Sequence, residues 1–580
     1  MQDLSTPFSQ EHRHIAVPQP VKADPLVPDP DLCGLMSPQE SLSIGALPLR
    51  RSRTGVLEIA TCGLTDTDLH KLRLRFGPLD VWPVTRNAFE AAILAQSGNE
   101  LAYAAENTVP AQLSCRNFNQ IKPRSWLFLL SVLVLVTTSL LTIPAVALNV
   151  AICLALLSML AAQILKVAAF FASNTYKASS PVIQHPDAVL PVVTLLVPLF
   201  REQDIANALL TRLTALKYPH HRLEVLLILE ANDIQTRSVL KGIDLPEWIR
   251  VIDVPNGTVR TKPRAMNFAM NFAQGDIVGI YDAEDAPALD QIDRVVAYFS
   301  HNPKVDCVQG ILDYYNPTAN WLSRCFTIEY AIWFRLLLPG LARLGLPIPL
   351  GGTTMFIRRH VLQAAHGWDA HNVTEDADLG IRLARQGYRT EVLRTVTQEE
   401  ANNRPWPWIK QRSRWLKGYV ITYLVHMRQP VLLWKDLGTW RFVGVQQIFL
   451  ATILQFSLAP LLWSFWLVLL GMPHPFPSLM GDFMVWSVTC AFIASELVAL
   501  LVGWVALSRS PHHNLKIWVP TLMIYYPLGT IAMYKALWEL LVNPFYWDKT
   551  MHGTSRPDAL DHTAKAAPTS QNRLVATSTH

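Results

Sequence analysis

Two kinds of hydrophobic pattern divide this chain. Long continuous apolar runs occupy residues 126–172, 442–471 and 483–507, whereas residues 188–420 alternate short apolar runs with amphipathic stretches of helical period. The first run has 47 residues, which as a helix would be about 70 Å long against a hydrocarbon core of roughly 30 Å. We therefore expect two transmembrane helices in residues 126–172, joined by a turn at Pro144 or Asn149.

Charges beside the apolar runs predict their topology. Basic residues flank both ends of the first helix pair, which places these flanks in the cytoplasm. We expect an interfacial segment at 421–440 and then two to four transmembrane or re-entrant helices at 442–542. The last stretch, 517–542, contains two prolines and two charges, so it could span, re-enter or lie at the interface. Glu496 lies inside a span and predicts either a channel-lining residue or a charge paired with a neighbouring helix.

The middle of the chain reads as an α/β domain. Apolar runs at 190–197, 223–229 and 277–281 predict buried parallel strands. Each run is followed by acidic residues, which are Glu202, then Glu230 and Asp233, then Asp282. Because open α/β sheets bind ligands at the carboxyl ends of their strands, these residues predict a ligand site there.

A second, smaller α/β unit is expected at residues 31–120. The elements predicted there are a strand at 54–60, a helix at 66–76, a strand at 79–84 and a helix at 86–96. Residues 1–30 are rich in proline and polar residues and 554–580 in serine, threonine and histidine, so we expect both to be disordered. The first residues lack the apolar stretch of a signal peptide, which predicts that this end stays in the cytoplasm.

Composition adds bounds to this organisation. A chain of 580 residues is too long for one hydrophobic core, and a hydrophobic content of 50% with a mean hydropathy of +0.20 is typical of a membrane protein with a soluble portion. The net charge of +5 gives no case for nucleic-acid binding. The seven cysteines contain no CxxC pair and indicate neither a zinc site nor a disulfide framework.

The first acidic cluster has metal-binding chemistry. In an extended segment, Asp282 and Glu284 point to the same side, where two hard carboxylates can hold a divalent cation that bridges a nucleotide diphosphate. The alternative is a solvated acidic turn. Three carboxylates within residues 282–285 repel one another, which favours a counter-ion. Glu284 and Asp285 remain rival metal ligands at this point.

The second acidic cluster precedes a helix. Thr374, Glu375 and Asp376 come just before a helical apolar pattern that begins at Leu379. Carboxylates at a helix start are frequent as plain caps. A carboxylate such as Asp376 could instead take the proton of an acceptor hydroxyl that attacks an anomeric carbon.

A third group lies downstream, in residues 411–415. If this run is helical, Gln411, Arg414 and Trp415 share one face. An indole stacks on the apolar face of a pyranose and a guanidinium binds phosphate oxygens, so the face suits a sugar diphosphate. The alternative is a juxtamembrane helix whose arginine and tryptophan lie at the lipid headgroups.

The order of these motifs resembles the family 2 membrane glycosyltransferases, which include cellulose, hyaluronan and chitin synthases and bacterial exopolysaccharide synthases. The resemblance covers residues 190–553 and rests on PLFRE at 198–202, EAND at 230–233, KPRAMN at 262–267, DAED at 282–285, LGGT at 350–353, TED at 374–376 and QRSRW at 411–415. The small N-terminal unit resembles the N-terminal domain of type II secretion ATPases. Some of these domains bind cyclic di-GMP, but the usual ligand motif is not visible here, and a docking domain without ligand is the alternative.

The resemblance implies a cytoplasmic GT-A domain inserted between transmembrane α-helices of the inner membrane. It implies an inverting, processive transferase that moves sugar from a nucleotide sugar, UDP-linked in such synthases, to a growing glycan. Partners would be the glycan acceptor, the lipid bilayer and other export components. Rival hypotheses are a non-processive transferase with a lipid acceptor and an inactive signalling or assembly protein.

Roles follow from the resemblance for individual residues. Asp376 would be the base, and Asp282 and Glu284 would hold Mg²⁺ or Mn²⁺. Residues 543–553 would form a gating loop over the nucleotide, or else an aromatic anchor at the interface. The substrate-binding residues would be Glu202, Glu230 and Asp233 around the uridine, Lys262 at the phosphates, Gln411, Arg414, Trp415 and Glu375 near acceptor and diphosphate, and Lys549 in the gating loop.

Overall fold

The computed structural model describes residues 26–118, 123–174, 190–202, 206–472 and 481–543. An eight-stranded mixed sheet lies at the centre of its middle region, with strand order β6-β5-β4-β7-β10-β9-β11-β8. Its strands are β4 (Val193–Leu199), β5 (Leu223–Glu230), β6 (Ile249–Val254), β7 (Ile277–Ile280), β8 (Ala286–Pro287), β9 (Cys307–Tyr314), β10 (Met355–Arg358) and β11 (Thr390–Glu399).

The parallel half of this sheet confirms the predicted strands. β6, β5, β4 and β7 run parallel, and every residue of β5 and β7 is buried, as continuous apolar runs require. β4 begins at Val193, three residues later than expected. β6 was not predicted, because Arg250 and Asp253 interrupt the aliphatic residues of its sequence IRVIDV and leave no continuous apolar run.

Helices cover both faces of the sheet. They are α6 (Ala206–Thr214), α7 (Ile234–Lys241), α8 (Lys262–Ala269), α9 (Gln291–His301), α12 (Arg359–Ala364) and α13 (Glu375–Arg385), with a 3₁₀ turn at His220–Arg222. The helix expected from Leu379 begins at Glu375, so the acidic cluster lies in its first turn.

A separate three-stranded sheet forms near the N-terminus, in the order β1-β2-β3. Its elements are a 3₁₀ turn (Pro30–Leu32), α1 (Pro38–Ile44), β1 (Ala46–Arg51), β2 (Leu57–Thr61), α2 (Asp66–Phe76), β3 (Leu79–Pro83) and α3 (Arg86–Glu106). The four predicted elements are present, whereas α1 and β1 were not predicted. Asp29, expected within the disordered stretch, donates its backbone N–H to Leu49 O at 2.7 Å and caps the 3₁₀ turn.

Helix α3 joins this unit to the middle of the chain. It extends ten residues past the predicted end at Gln96 and is kinked at Ser97, where φ is −130°. Its first half is held by Glu90, which pairs with Arg250 of β6 at 2.6 Å. Its second half packs against α8, so the small unit contacts the back of the central sheet.

Within the described residues, four helical stretches are long and apolar enough to cross a membrane by length and composition. These are Pro144–Asn174, Trp321–Arg343, Pro430–Leu469 and Asp482–Ser508. The predicted pair at 126–172 is confirmed as two helices, α4 (Pro123–Thr142) and α5 (Pro144–Asn174). The break falls at Ile143 and Pro144, whereas Asn149 lies inside α5, where its backbone is regular.

The stretch Trp321–Arg343 was not predicted. It consists of α10 (Trp321–Ile332), a π-helical segment (Trp333–Leu337) and α11 (Leu338–Arg343), and it packs against α5. Arginines and a glutamate interrupt its apolar residues, which explains why it gave no continuous run. It lies mostly buried between the central sheet and the apolar helices.

The remaining helices follow the central sheet. They are α14 (Pro405–His426), α15 (Pro430–Val445), a π-helical segment (Gln446–Leu450), α16 (Ala451–Trp463), α17 (Phe465–Leu469), α18 (Asp482–Ser508), a 3₁₀ segment (His513–Thr521) and α19 (Leu522–Val542). The segment 421–440, expected at the interface, comprises the end of α14 and the start of α15. Most of the expected gating loop lies outside the described residues, as do residues 1–25 and 554–580.

Candidate functional site

Eight of the predicted site residues line one cavity of about 500 Å³. They are Lys262, Asp282, Glu284, Glu375, Asp376, Gln411, Arg414 and Trp415. The cavity opens at the carboxyl edge of the central sheet, where the sequence placed the ligand site. We call the part around Lys262, Asp282 and Asp376 the catalytic half.

Lys262 is the charged centre of the catalytic half. It is the first residue of α8, and its ammonium contacts Asp282 Oδ1 and donates to Gly352 O at 2.7 Å. A Cβ added to Gly352 would lie 3.3 Å from Asp376 Oδ2 and 3.7 Å from Lys262 Nζ. Gly352 therefore lies beside both the lysine and Asp376.

The acidic turn after β7 uses its carboxylates differently. Asp285 is 1% exposed, accepts the Asp282 N–H at 2.8 Å and contacts the Thr353 hydroxyl, so it fixes the shape of the turn. Burial, together with Asp282 and Glu284, raises the pKa of Asp285. Asp282 and Glu284 line the cavity. This arrangement favours Glu284 over Asp285 as the partner of Asp282 in ligand binding.

The donor set of this turn fits a small hard cation. Among the described residues, no cluster of three or more histidine, cysteine, aspartate or glutamate side chains is arranged to hold a metal ion. Mg²⁺ needs no such cage, because it is usually bound by one or two carboxylates together with substrate phosphates and waters. Asp282 and Glu284 supply two carboxylates on one wall of the cavity.

Asp376 lies in the first turn of α13, and its carboxylate accepts the Ala377 N–H at 2.7 Å. Burial raises its pKa to about 6, and Asp282 adds to this. Burial and the neighbouring Asp376 also raise the pKa of Glu375. An aspartate with this pKa is ionised near neutral pH yet still basic enough to take a proton, which suits a general base.

The helix that carries Asp376 is locked to α14. A Cβ added to Gly418 of α14 would lie 2.3 Å from Thr374 Cγ2, so only glycine lets the two segments approach. One turn into α13, Asp378 pairs with Arg382 at 2.7 Å and with His426 of α14 at 3.0 Å. All three of these polar side chains are buried, which makes α13 and α14 one packed unit.

The predicted run at 411–415 is helical and lies within α14. Gln411 accepts the Asn402 Nδ2–H at 2.8 Å, and Trp415 packs beside Phe326 with a ring distance of 6.2 Å. The prediction that Gln411, Arg414 and Trp415 share one face is confirmed, since all three line the cavity.

The three carboxylates expected around the nucleotide base lie elsewhere on the same edge of the sheet and are not among the residues lining this cavity. Asp233 caps α7 through the Thr236 N–H at 3.1 Å and accepts the Arg201 N–H at 2.6 Å. Glu202 donates its N–H to the Thr236 hydroxyl at 2.9 Å. Glu230 is buried, which raises its pKa. Lys549 lies outside the described residues.

Sequence reasoning missed several residues of the cavity. Glu399 is the last residue of β11 and Glu400 follows it, and both line the catalytic half. Burial raises the pKa of Glu399, and the carboxylates of Asp285, Glu284 and Asp282 add to this. The signal was present, since acidic residues lie at the carboxyl end of a strand here too, but the β11 strand itself had not been predicted.

Arg412 and Glu329 form a second missed group. Arg412 lies beside the predicted face of α14, and its guanidinium pairs with Glu329 of α10 and stacks 4.9 Å from the rings of Trp408 and Trp415. Tyr525 of α19 donates to the same Glu329 carboxylate. This network joins the 411–415 run of α14 to α10 and α19, two helices that are distant in sequence.

From the catalytic half, the cavity continues between the apolar helices, and we call this part the helical half. Aliphatic side chains such as Met159, Leu337 and Leu462 form part of its wall. The rest is aromatic or uncharged polar: Trp333, Phe456, Trp463, Phe492 and Tyr526, with Gln163, Gln447, Thr452, Gln455, Ser495 and Thr530. Lys166 of α5 and Glu496 of α18 also line it, so the predicted lining position of Glu496 is confirmed. The cavity therefore extends from Asp376 to Trp463 near the end of α16.

Comparison with known proteins bears on this site. Residues 191–418 match the family model described as Glycosyltransferase like family 2. The probable glycosyltransferase YdaM of Bacillus subtilis is 27% identical over 238 residues, which cover 40% of this chain and 56% of YdaM. The beta-monoglucosyldiacylglycerol synthase of Synechocystis is 27% identical over 395 residues, covering 64% of this chain and 77% of that enzyme. This chain thus spans about half the length of YdaM and more of the synthase.

More distant matches have related names. Glucomannan 4-beta-mannosyltransferases of Arabidopsis thaliana and Oryza sativa, some of them termed probable, are 21% to 24% identical. Among solved structures, mannosyltransferase PcManGT from Pyrobaculum calidifontis, in complex with GDP-Man and Mn²⁺, superimposes with a TM-score of 0.42 at 19% identity, covering 66% of this chain and 99% of PcManGT. On the family match and the names of its relatives, this chain contains a glycosyltransferase domain of family 2 at residues 191–418.

Proposed function

We propose that this chain is an inverting, processive glycosyltransferase of the inner membrane, which extends a polysaccharide from a UDP-sugar and passes the product between its apolar helices. The catalytic domain would face the cytoplasm, and the small N-terminal unit would be a docking domain. One observation supports this most strongly. The cavity that holds Lys262, Asp282 and Asp376 continues between the helices as far as Trp463, which gives a lengthening product a path away from the reacting atoms.

The chemistry follows from the side chains of the catalytic half. Asp376 takes the proton of the acceptor hydroxyl while that oxygen attacks the anomeric carbon from the face opposite the departing diphosphate, so the configuration inverts. Asp282 and Glu284 would hold Mg²⁺ or Mn²⁺, which when bound would neutralise charge on the diphosphate. Lys262 and Arg414 supply positive charge beside the same leaving group.

The helical half offers groups that suit a glycan, beside aliphatic residues that would also suit an acyl chain. Uncharged polar side chains such as Gln447, Thr452 and Gln455 line it next to aromatic rings. Hydroxyls of a sugar chain could pair with these polar groups, and the rings could stack on pyranose faces.

A second candidate function is transfer to a lipid acceptor. The observation in its favour is the match to beta-monoglucosyldiacylglycerol synthase, which spans 395 residues and so extends beyond the family 2 domain. In that case the helical half would hold the lipid, and the product would carry one sugar or a few.

One assay separates these functions. Purified protein in proteoliposomes receives radiolabelled UDP-sugars, and the product is divided into high-molecular-weight polymer and organic-extractable glycolipid. Polymer as the main product supports processive synthesis, whereas label confined to the organic phase refutes it in favour of lipid transfer. Label transfer that persists undiminished in Asp376→Asn would refute the assigned base. Absence of transfer from every nucleotide sugar would favour an inactive signalling or assembly protein.

A further inference from the structure

The last residue of α3, Glu106, is a buried charge that the catalytic domain receives from the N-terminal segment. Its side chain is 3% exposed. It accepts hydrogen bonds from Thr258 N at 2.7 Å and Thr258 Oγ1 at 2.5 Å, and it lies 3.5 Å from Arg264 Nη1. Burying a carboxylate is costly unless it is paired and hydrogen-bonded. Here all of these partners belong to one short loop and the helix after it.

Arg264 continues the contact towards the sheet edge. Its guanidinium is fully buried, and Nη2 lies 3.2 Å from Glu230 Oε2 while also donating to Pro255 O. Glu230 is the last residue of β5. We call these three side chains the Glu106–Arg264–Glu230 chain, which connects α3 to the carboxyl end of a central strand.

The loop at 255–261 passes directly over this chain. A Cβ added to Gly257 would lie 2.0 Å from Arg264 Nη1 and 2.1 Å from Glu106 Oε1, so any larger residue would displace one of them. The loop backbone is therefore packed against both charged groups.

The 255–261 loop lies where the Glu106 contact can influence nucleotide binding. It connects β6 to α8, at the sheet edge where open α/β folds bind nucleotides. The residue that follows it is Lys262, which pairs with Asp282. Glu106 thus holds one end of a segment whose other end enters the catalytic half, and through Arg264 it also orients Glu230.

We propose that Glu106 is a positioning residue for the donor nucleotide, so that the N-terminal segment completes the donor end of the site. This inference rests on the proposed function, since it requires that a nucleotide sugar binds at this edge. Loss of the Glu106 charge releases the loop, so Lys262 and Glu230 are no longer held in the positions from which they contact the nucleotide. Affinity for the donor falls, while the acceptor face on α14 is unaffected.

The test compares Glu106→Gln with Ser114→Ala in the full-length protein. Ser114 is a matched control, because it anchors the same N-terminal segment through a buried hydrogen bond of 2.8 Å to Asp369 but does not touch the loop. For each variant, kcat and KM for the UDP-sugar and the inhibition constant of UDP are measured. We expect Glu106→Gln to raise KM and the UDP inhibition constant about tenfold, the effect of one hydrogen bond to a charged group. Its kcat should stay within about threefold of wild type.

Further variants and outcomes decide the matter. Glu106→Asp should recover part of the lost affinity, and Thr258→Val, which removes one donor, should give a smaller rise in KM if Glu106→Gln does not fold. An unchanged KM and UDP inhibition constant in Glu106→Gln, or an equal rise in Ser114→Ala, would overturn the positioning role alone. Failure of the wild type to be inhibited by UDP or to use any UDP-sugar would instead refute the proposed function, and the inference with it.

Discussion

The two halves of the cavity differ in the way their side chains are held. In the catalytic half, short contacts hold charged side chains: Lys262 contacts Asp282, and Asp285 accepts the Asp282 N–H at 2.8 Å. In the helical half, polar side chains such as Gln447 and Gln455 are spread along a wall of aliphatic and aromatic residues. Under the proposed function, the first half would react at one point and the second would accept successive groups of the product.

The largest expected effect tests the catalytic half. Asp376→Asn keeps the shape of the side chain but removes the base, so we expect kcat to fall by about 10²–10⁴-fold. The inhibition constant of UDP should remain within about twofold of wild type, because the nucleotide does not depend on this proton transfer. Steady-state kinetics in proteoliposomes would measure both. Retention of a tenth of the activity would contradict the role.

Metal dependence gives the next largest effect and separates two neighbouring carboxylates. Chelation of divalent cations should lower transfer by about 10²-fold, and Mg²⁺ or Mn²⁺ should restore it. Glu284→Gln should raise the metal concentration needed for half-maximal activity. Asp285→Asn should mainly lower the thermal unfolding temperature, because Asp285 holds the turn. Equal metal requirements in the two variants would contradict this division.

The pH profile tests the burial of Asp376. Because its pKa is raised from 3.8 to about 6, the ionised base is lost as the pH falls through 6 and not only below 4. We expect kcat/KM to level off above about pH 6 and to decrease about tenfold per unit well below it. UDP binding across the same range serves as the control for unfolding. A profile that stays flat to pH 5 would contradict the assignment.

The smallest effect on rate is expected in the helical half. Two adjacent glutamines offer a matched pair, because Gln447 lines the cavity whereas Gln446 accepts the Tyr423 hydroxyl at 2.8 Å and does not line it. Gln447→Leu should shorten the polymer while the initial rate of transfer changes less than about twofold, since the residue is remote from the reacting atoms. Gln446→Leu should leave product length unchanged. Gel filtration of labelled product would detect the difference.

The same contrast explains what could be predicted from the sequence. Residues of the catalytic half follow strands or begin helices, so Asp282, Asp376 and the face around Gln411 could be placed from local pattern alone. Glu399 was missed because Glu391 and Arg394 interrupt the apolar residues of β11, so the strand that it ends gave no continuous run. The role of Glu106 depends on α3 packing against a loop some 150 residues later, as the Thr258 contact shows. Local periodicity contains no information about such a pairing.

The helical half was also beyond sequence reasoning for a physical reason. Its wall is assembled from α5, α10, α16, α18 and α19, and each contributes a few residues to a surface that exists only once they pack. Apolar runs identified most of these helices but not which side faces the cavity. The stretch Trp321–Arg343 was missed altogether, because charged residues such as Glu329 and Arg335 interrupt its apolar residues, and their partners Arg412 and Asp313 lie outside the stretch.

The lock between α13 and α14 has a consequence for how a chain can lengthen. Gly418 packs against Thr374, and His426 is hydrogen-bonded to Asp378. The proposed base Asp376 on α13 and the indole of Trp415 on α14 therefore belong to one packed unit. The distance between Asp376 and Trp415 is thus set by the packing of α13 on α14. Under the proposed function, each added sugar would be accommodated by movement of the product past Trp415 and not by movement of one helix against the other.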